Sequence, residues 1–119
     1  MANQPLICYF RRYRLRSGLS HGDIAFLLGS VYGENVSKYE SGIRFPKLRN
    51  LIALEIVLFA SARDLYEGVL HQVRRDLGDR IQGLYNHVKR QRRTGRTKRK
   101  LQTLELLAKE VGVTLAKTD

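Results

Sequence analysis

The 119-residue sequence predicts an all-α chain, with five short helices in a bundle and a helical, strongly basic extension after them. Three observations lead there. Apolar residues recur at three- and four-residue spacing from the first helix to the last. Two Ser-x-x-Asp pairs, Ser20/Asp23 and Ser61/Asp64, stand ahead of apolar runs, where a side chain can satisfy the free N–H groups of a helix start. Gly18, Gly29 and Gly42 stand where helices should stop.

The first helix is expected over about 5–17, from Pro5 in its opening turn to Gly18, with Leu6, Ile7, Phe10, Tyr13 and Arg14 at helical spacing and Cys8 packed inside it. The second is expected at about 21–28, with Ile24, Leu27 and Leu28 as its apolar face and Gly29 at its end. Val36, Tyr39 and Ile43 mark the third. Its start is open between Val31, capped by Ser30, and Glu34, after a longer turn through Tyr32 and Gly33. The later start is preferred, because a glycine inside a helix costs about 1 kcal/mol against alanine. Beyond Pro46, Leu48, Leu51, Ile52, Leu54, Ile56 and Leu58 give a strongly apolar fourth helix at about 47–59. Ser61 and Asp64 begin a fifth, with Leu65, Tyr66 and Val69 offered to the core.

From Leu70 the pattern changes. Leu70, Leu77 and Leu84 lie seven apart, with Ile81 and Val88 four after the last two, as in a short a/d seam. Arg74 at one d position and Gly78 and Gly83 within the helix interrupt it. The stretch 69–88 is therefore a candidate for pairing with a second copy, or for packing on its own domain. Residues 89–100, KRQRRTGRTKRK, carry eight cations and no acid, a poor helix in isolation. A last apolar helix is expected at about 101–111, with Leu101, Leu104, Leu107 and Val111. The expected domains are thus 1–68 and 69–119.

The net charge of +11 favours a polyanionic partner. It is uneven: residues 1–68 hold nine Lys/Arg against six Asp/Glu, and residues 69–119 hold thirteen against five. Cys8 is the one cysteine, so an intrachain disulfide and a cysteine-based zinc site are excluded. No apolar run approaches the roughly 20 residues of a membrane span. His21, His71 and His87 lack metal-ligand spacing, and Thr94-Gly95-Arg96-Thr97 is not a phosphate-binding P-loop. The expectation is a cytoplasmic protein that is no enzyme and has no cofactor or metal.

Leu19 to Pro46, LSHGDIAFLLGSVYGENVSKYESGIRFP, with the basic segment Phe10–Gly18 before it, has the layout of a helix-turn-helix. Over about residues 6–66 the chain resembles the lambda-repressor-like, or Cro-type, helix-turn-helix family. Leu19-Ser20-His21 is similar to its Leu-Ser-Gln opening of helix two, and Ile24-Ala25 and Gly29 fall at its apolar-Ala pair and turn glycine. Val36-Ser37-Lys38-Tyr39-Glu40-Ser41-Gly42 resembles its recognition helix. Arg44, Pro46, Leu48 and Leu51, then Asp64-Leu65-Tyr66, fit its loop, fourth helix and fifth helix. The chain departs from the pattern by one extra residue between Gly29 and Glu40, by Phe59 in place of a small residue or glycine, and by His21 in place of Gln.

The resemblance implies a regulator of transcription, a repressor of phage, plasmid or mobile-element type that binds an operator in double-stranded DNA as a homodimer. It also implies a structural ion pair, Arg14 with Glu40. Tyr32, Glu34, Asn35 and Lys38 would then lie on the exposed face of the recognition helix. Glutamate accepts from cytosine N4, asparagine reads adenine, and lysine donates to guanine or to phosphate. His21, Arg44 and Lys47 are candidates for phosphate contacts, as are Arg92, Arg93 and Arg96 in the basic run. The plain alternative for each is a solvated surface residue. Two other functional readings stand beside this one. One is an antitoxin-like module whose 101–111 helix grips a protein partner. The other is an RNA or nucleoid binder that uses the arginine-rich run.

Overall fold

The computed structural model describes residues 8–29 and 31–117, and all regular structure among them is helical. In chain order these helices are α1 Phe10–Ser17, α2 His21–Leu28, α3 Gly33–Ser41, α4 Leu48–Leu58, α5 Ala62–Leu65, α6 Glu67–Lys89 and α7 Gly95–Val111. The chain divides into two units, Met1–Leu70 and His71–Asp119, and the division falls within α6. No helix of the described residues is long and apolar enough to cross a membrane.

Helix starts follow the caps. The Ser20 hydroxyl accepts from Asp23 N–H at 3.0 Å, while the Asp23 carboxylate accepts from Ser20 N–H at 2.9 Å, a reciprocal box that opens α2. Ser61 accepts from Asp64 N–H at 3.0 Å and opens α5. Gly18, Gly29 and Gly42 end α1, α2 and α3 at positive φ. Phe59 ends α4 at φ 52°, the one non-glycine residue with positive φ among those described. A left-handed residue bearing a Cβ costs roughly 1 kcal/mol or more.

Several expected elements are displaced. The first helix begins at Phe10, not near Pro5, and Cys8 lies outside it. Tyr9 N–H donates instead to Leu65 O at 2.8 Å, which ties the start of the unit to α5. Pro5, Leu6 and Ile7 lie outside the described residues, as does Ser30, the alternative cap for the third helix. That helix begins at Gly33, one residue before Glu34, with Tyr32 O accepting from Asn35 and Val36 N–H. At the first helical position a glycine is tolerated. Here a Cβ on Gly33 would stand 3.7 Å from Gly22 N, so the first turns of α2 and α3 lie side by side. The last helix begins at Gly95 rather than near residue 101, so half of the basic run is helical. A capping box of Thr94 and Thr97 nucleates it, and Leu101, Leu104 and Ala108 anchor the turns that follow.

The core of the first unit is Phe10, Ile24, Ala25, Val36, Tyr39, Leu54, Leu58, Ala60, Leu65 and Tyr66. Each fully buried Phe10, Ile24, Leu54 or Leu65 contributes about 1.5–3 kcal/mol. The apolar runs exceed what this core takes in. Leu27, Ile43, Leu48, Ile52 and Ile56, expected to pack, are exposed. Ala25 takes the inward place on α2, and α4 points Leu51, Leu54 and Leu58 inward.

The second unit packs α6 on α7 through Ile81, Tyr85, Val88, Leu104, Ala108 and Leu115. The a/d seam is therefore split: its Ile81 and Val88 serve this internal core, while Leu77 and Leu84 are about half exposed. Gly78 is explained by the segment after α7. A Cβ there would meet Val113 Cγ1 at 2.8 Å, so the glycine makes room for the returning chain. Gln82 then clasps that chain, accepting from Ala116 N–H at 2.8 Å and donating to Ala116 O at 3.4 Å.

Candidate nucleic-acid interface

Helix α3 is held along its inner side. Val36 and Tyr39 are buried, and the last turn meets three separate restraints. The Tyr66 hydroxyl donates to Tyr39 O at 3.0 Å, and Cys8 Sγ lies 4.0 Å from the same oxygen. Burial, with Cys8 and Tyr39 nearby, pushes the Tyr66 hydroxyl above the usual tyrosine range, so it remains a donor. The third restraint is ionic. Arg14 of α1 donates to Glu40 through Nε at 2.6 Å and through a terminal nitrogen at 3.3 Å, and its other terminal nitrogen donates to Leu19 O at 3.1 Å. Both side chains of the pair are nearly buried. The fork is thus fully engaged, the geometry in which arginine exceeds lysine.

His21 joins this cluster, with its Nε2 2.9 Å from Glu40 Oε2. The ring expected at a phosphate lies against Glu40 through Nε2, because the first turn of α2 runs beside α3. Burial would raise the Glu40 carboxyl, but the hydrogen bonds from Arg14 and His21, with their charges, outweigh it and hold the group below its usual range. The carboxylate therefore joins α1, α2 and α3 at one point.

The opposite side of α3 carries Glu34, Ser37, Lys38 and Ser41, all exposed and at i, i+3, i+4 and i+7. Ser37 and Ser41 add to the expected Glu34 and Lys38, and the same helical spacing from Glu34 points to both. Asn35 does not join them. It is half-buried at the edge of the helix, and its Oδ1 accepts from Arg44 at 3.3 Å. The start of α3 at Gly33 thus settles which of the two neighbours points outward: Glu34 does, and Asn35 turns sideways to Arg44. Tyr32 is exposed at the N-cap of α3, and Lys47 is exposed at the N-cap of α4.

In the second unit the basic run forms a corner. Arg92 and Arg93 lie in the connection between α6 and α7, and Arg96 in the first turn of α7, all exposed. None of the three makes an ion pair among the described residues. The corner has an internal frame, since the buried Thr97 hydroxyl donates to Arg92 O at 3.1 Å or Thr94 O at 3.0 Å. The first turn of α7 has no acid to offset its positive dipole end. Cations and that dipole end thus stand together. Leu101, Leu104 and Val111, three of the four residues expected to grip a protein partner, pack within this unit, and Leu107 is about half exposed.

Comparison with protein-family models, with curated proteins and with solved structures returns no match. No group of three or more His, Cys, Asp or Glu side chains among the described residues is arranged to hold a metal ion.

Proposed function

We propose that the first unit is a lambda-repressor-like, five-helix DNA-binding domain, and that the protein is a sequence-specific transcriptional regulator that represses by occupying an operator as a homodimer. One observation carries the reading: α3 is fixed on its inner side by Arg14, Glu40, His21 and Tyr66, while its outer side presents Glu34, Ser37, Lys38 and Ser41 to solvent. Side chains reach base edges in the major groove from a helix held in this way. Glu34 and Lys38 read bases, and Arg44 and Lys47 beside them grip the backbone. Asn35 positions Arg44. The adjacent first turns of α2 and α3 bring two positive helix ends toward the same strand.

The second unit adds affinity without sequence preference, through Arg92, Arg93 and Arg96 on phosphates. The same corner favours a second reading, an RNA or unspecific nucleic-acid binder, since eight cations lie in twelve residues there. Selection of binding sites from random duplex DNA separates the two. A recovered palindromic motif that shifts in Glu34→Ala or Lys38→Ala supports base reading by α3. Recovery of no motif, with equal displacement by random duplex or RNA, overturns it.

A further inference from the structure

We propose that the outer face of α4 is the self-association surface of this protein, paired antiparallel with α4 of a second copy about a two-fold axis at the midpoint of the helix, beside Ile52 and Ile56. The surface names the partner contact of the dimer proposed above and rests on that reading only for its purpose.

Four large apolar side chains run along that face at i, i+4, i+8 and i+11. Leu48 is 71% exposed, Ile52 48%, Ile56 69% and Phe59 92%. The opposite face already packs the core through Leu51, Leu54 and Leu58, so the helix is apolar on two sides. A helix apolar on two sides has a second partner. Phe59 is the most telling member. It adopts a left-handed backbone where glycine is free of strain, and it holds a phenyl ring in water. Within one chain, neither feature contributes to stability.

The pattern suits a second copy in particular. Reversing α4 on itself about its midpoint, at the level of Ala53 and Leu54, lays Leu48 against Phe59 and Ile52 against Ile56. An isologous contact needs this self-complementarity. Arg49, an exposed charged group beside the stripe, also has its counterpart. The last turn of α4 lacks a basic residue, and antiparallel pairing brings Arg49 of one copy to the carbonyl end of the other. Four such side chains from each copy supply on the order of 1,000 Å², the lower bound for a stable specific interface. The expected seam on α6 is weaker by comparison, with Ile81 and Val88 already packed in the second unit.

Sedimentation equilibrium of the full chain without DNA tests the proposal. We expect a dimer, with Ile56→Asp raising the dissociation constant about 100-fold while the helical circular dichroism is retained. Phe59→Gly is expected to weaken the dimer about 10-fold yet raise the denaturant midpoint of the dissociated chain, since it removes both the strain and the exposed ring. A chain that stays monomeric at about 100 µM overturns the proposal. So does a dimer that survives Ile56→Asp but is lost in Leu84→Asp. Because mass is read without DNA, a failure here leaves the base-reading role of α3 standing, and a failure to select an operator leaves the dimer surface standing.

Discussion

Between Gly33 and Ser41 the chain uses a nearly buried arginine and glutamate, a histidine and a tyrosine hydroxyl to hold one short helix still. Between Lys89 and Lys100 it does nearly the reverse, gathering eight cations on a corner framed by two threonines. The first surface is close to neutral, with Glu34 and Lys38 side by side on its outer face. The second carries its charge almost without offset. Discrimination between similar ligands needs donors and acceptors at fixed places, whereas attraction to a polyanion needs only charge. A chain with both can separate the two tasks, and each can be weakened without the other.

The largest expected effect is on the fixed surface. Glu40→Ala leaves Arg14 nearly buried without its carboxylate and should cost about 3 kcal/mol of stability, read as a lowered urea midpoint of the first unit. DNA affinity should fall with it. An unchanged midpoint would remove the cluster as the reason α3 is held. Next comes the charged corner. Replacing Arg92, Arg93 and Arg96 together with alanine should weaken binding alike for all duplexes and reduce the salt slope by about 3, with no change in the selected motif. A changed motif would mean that the corner reads bases.

Two glycines sharpen the contrast in backbone terms. Gly78→Ala drives a Cβ into Val113 and should destabilise the second unit by about 1–2 kcal/mol in thermal unfolding. Gly33→Ala meets only ordinary contacts and should be neutral or stabilising by less than about 1 kcal/mol. The smallest effect is on pH dependence. The folded Glu40 carboxyl lies below its ordinary value of 4.5, so the stability it contributes is complete above that value and fades as pH falls through the lowered one. The urea midpoint should therefore decline more steeply below about pH 4.5 in the natural protein than in Glu40→Gln. Equal slopes would show that another group carries the acid sensitivity.

The starts and stops of the first five helices were largely legible, because a cap acts over three or four residues and its chemistry is local. Ser20 with Asp23, Ser61, and the glycines at 18, 29 and 42 all act where the sequence places them. The expected pair of Arg14 and Glu40 also meets. Less local features were not legible. Leu48, Ile52 and Ile56 are as apolar as Leu51, Leu54 and Leu58, and only the position of the core decides which three are buried. His21 turns to Glu40 and Asn35 to Arg44 because separate helices bring those partners near.

By itself, then, the sequence determined that this protein is helical, where most of its helices begin and end, and that its charge collects in the second half. Those properties depend on neighbours along the chain and on composition. Tertiary structure alone decided which face of each helix is buried, that Glu34 rather than Asn35 points outward, and that Gly78 is a place of close packing. Those properties depend on what each residue meets across space, and a side chain's surroundings there are set by residues tens of positions away.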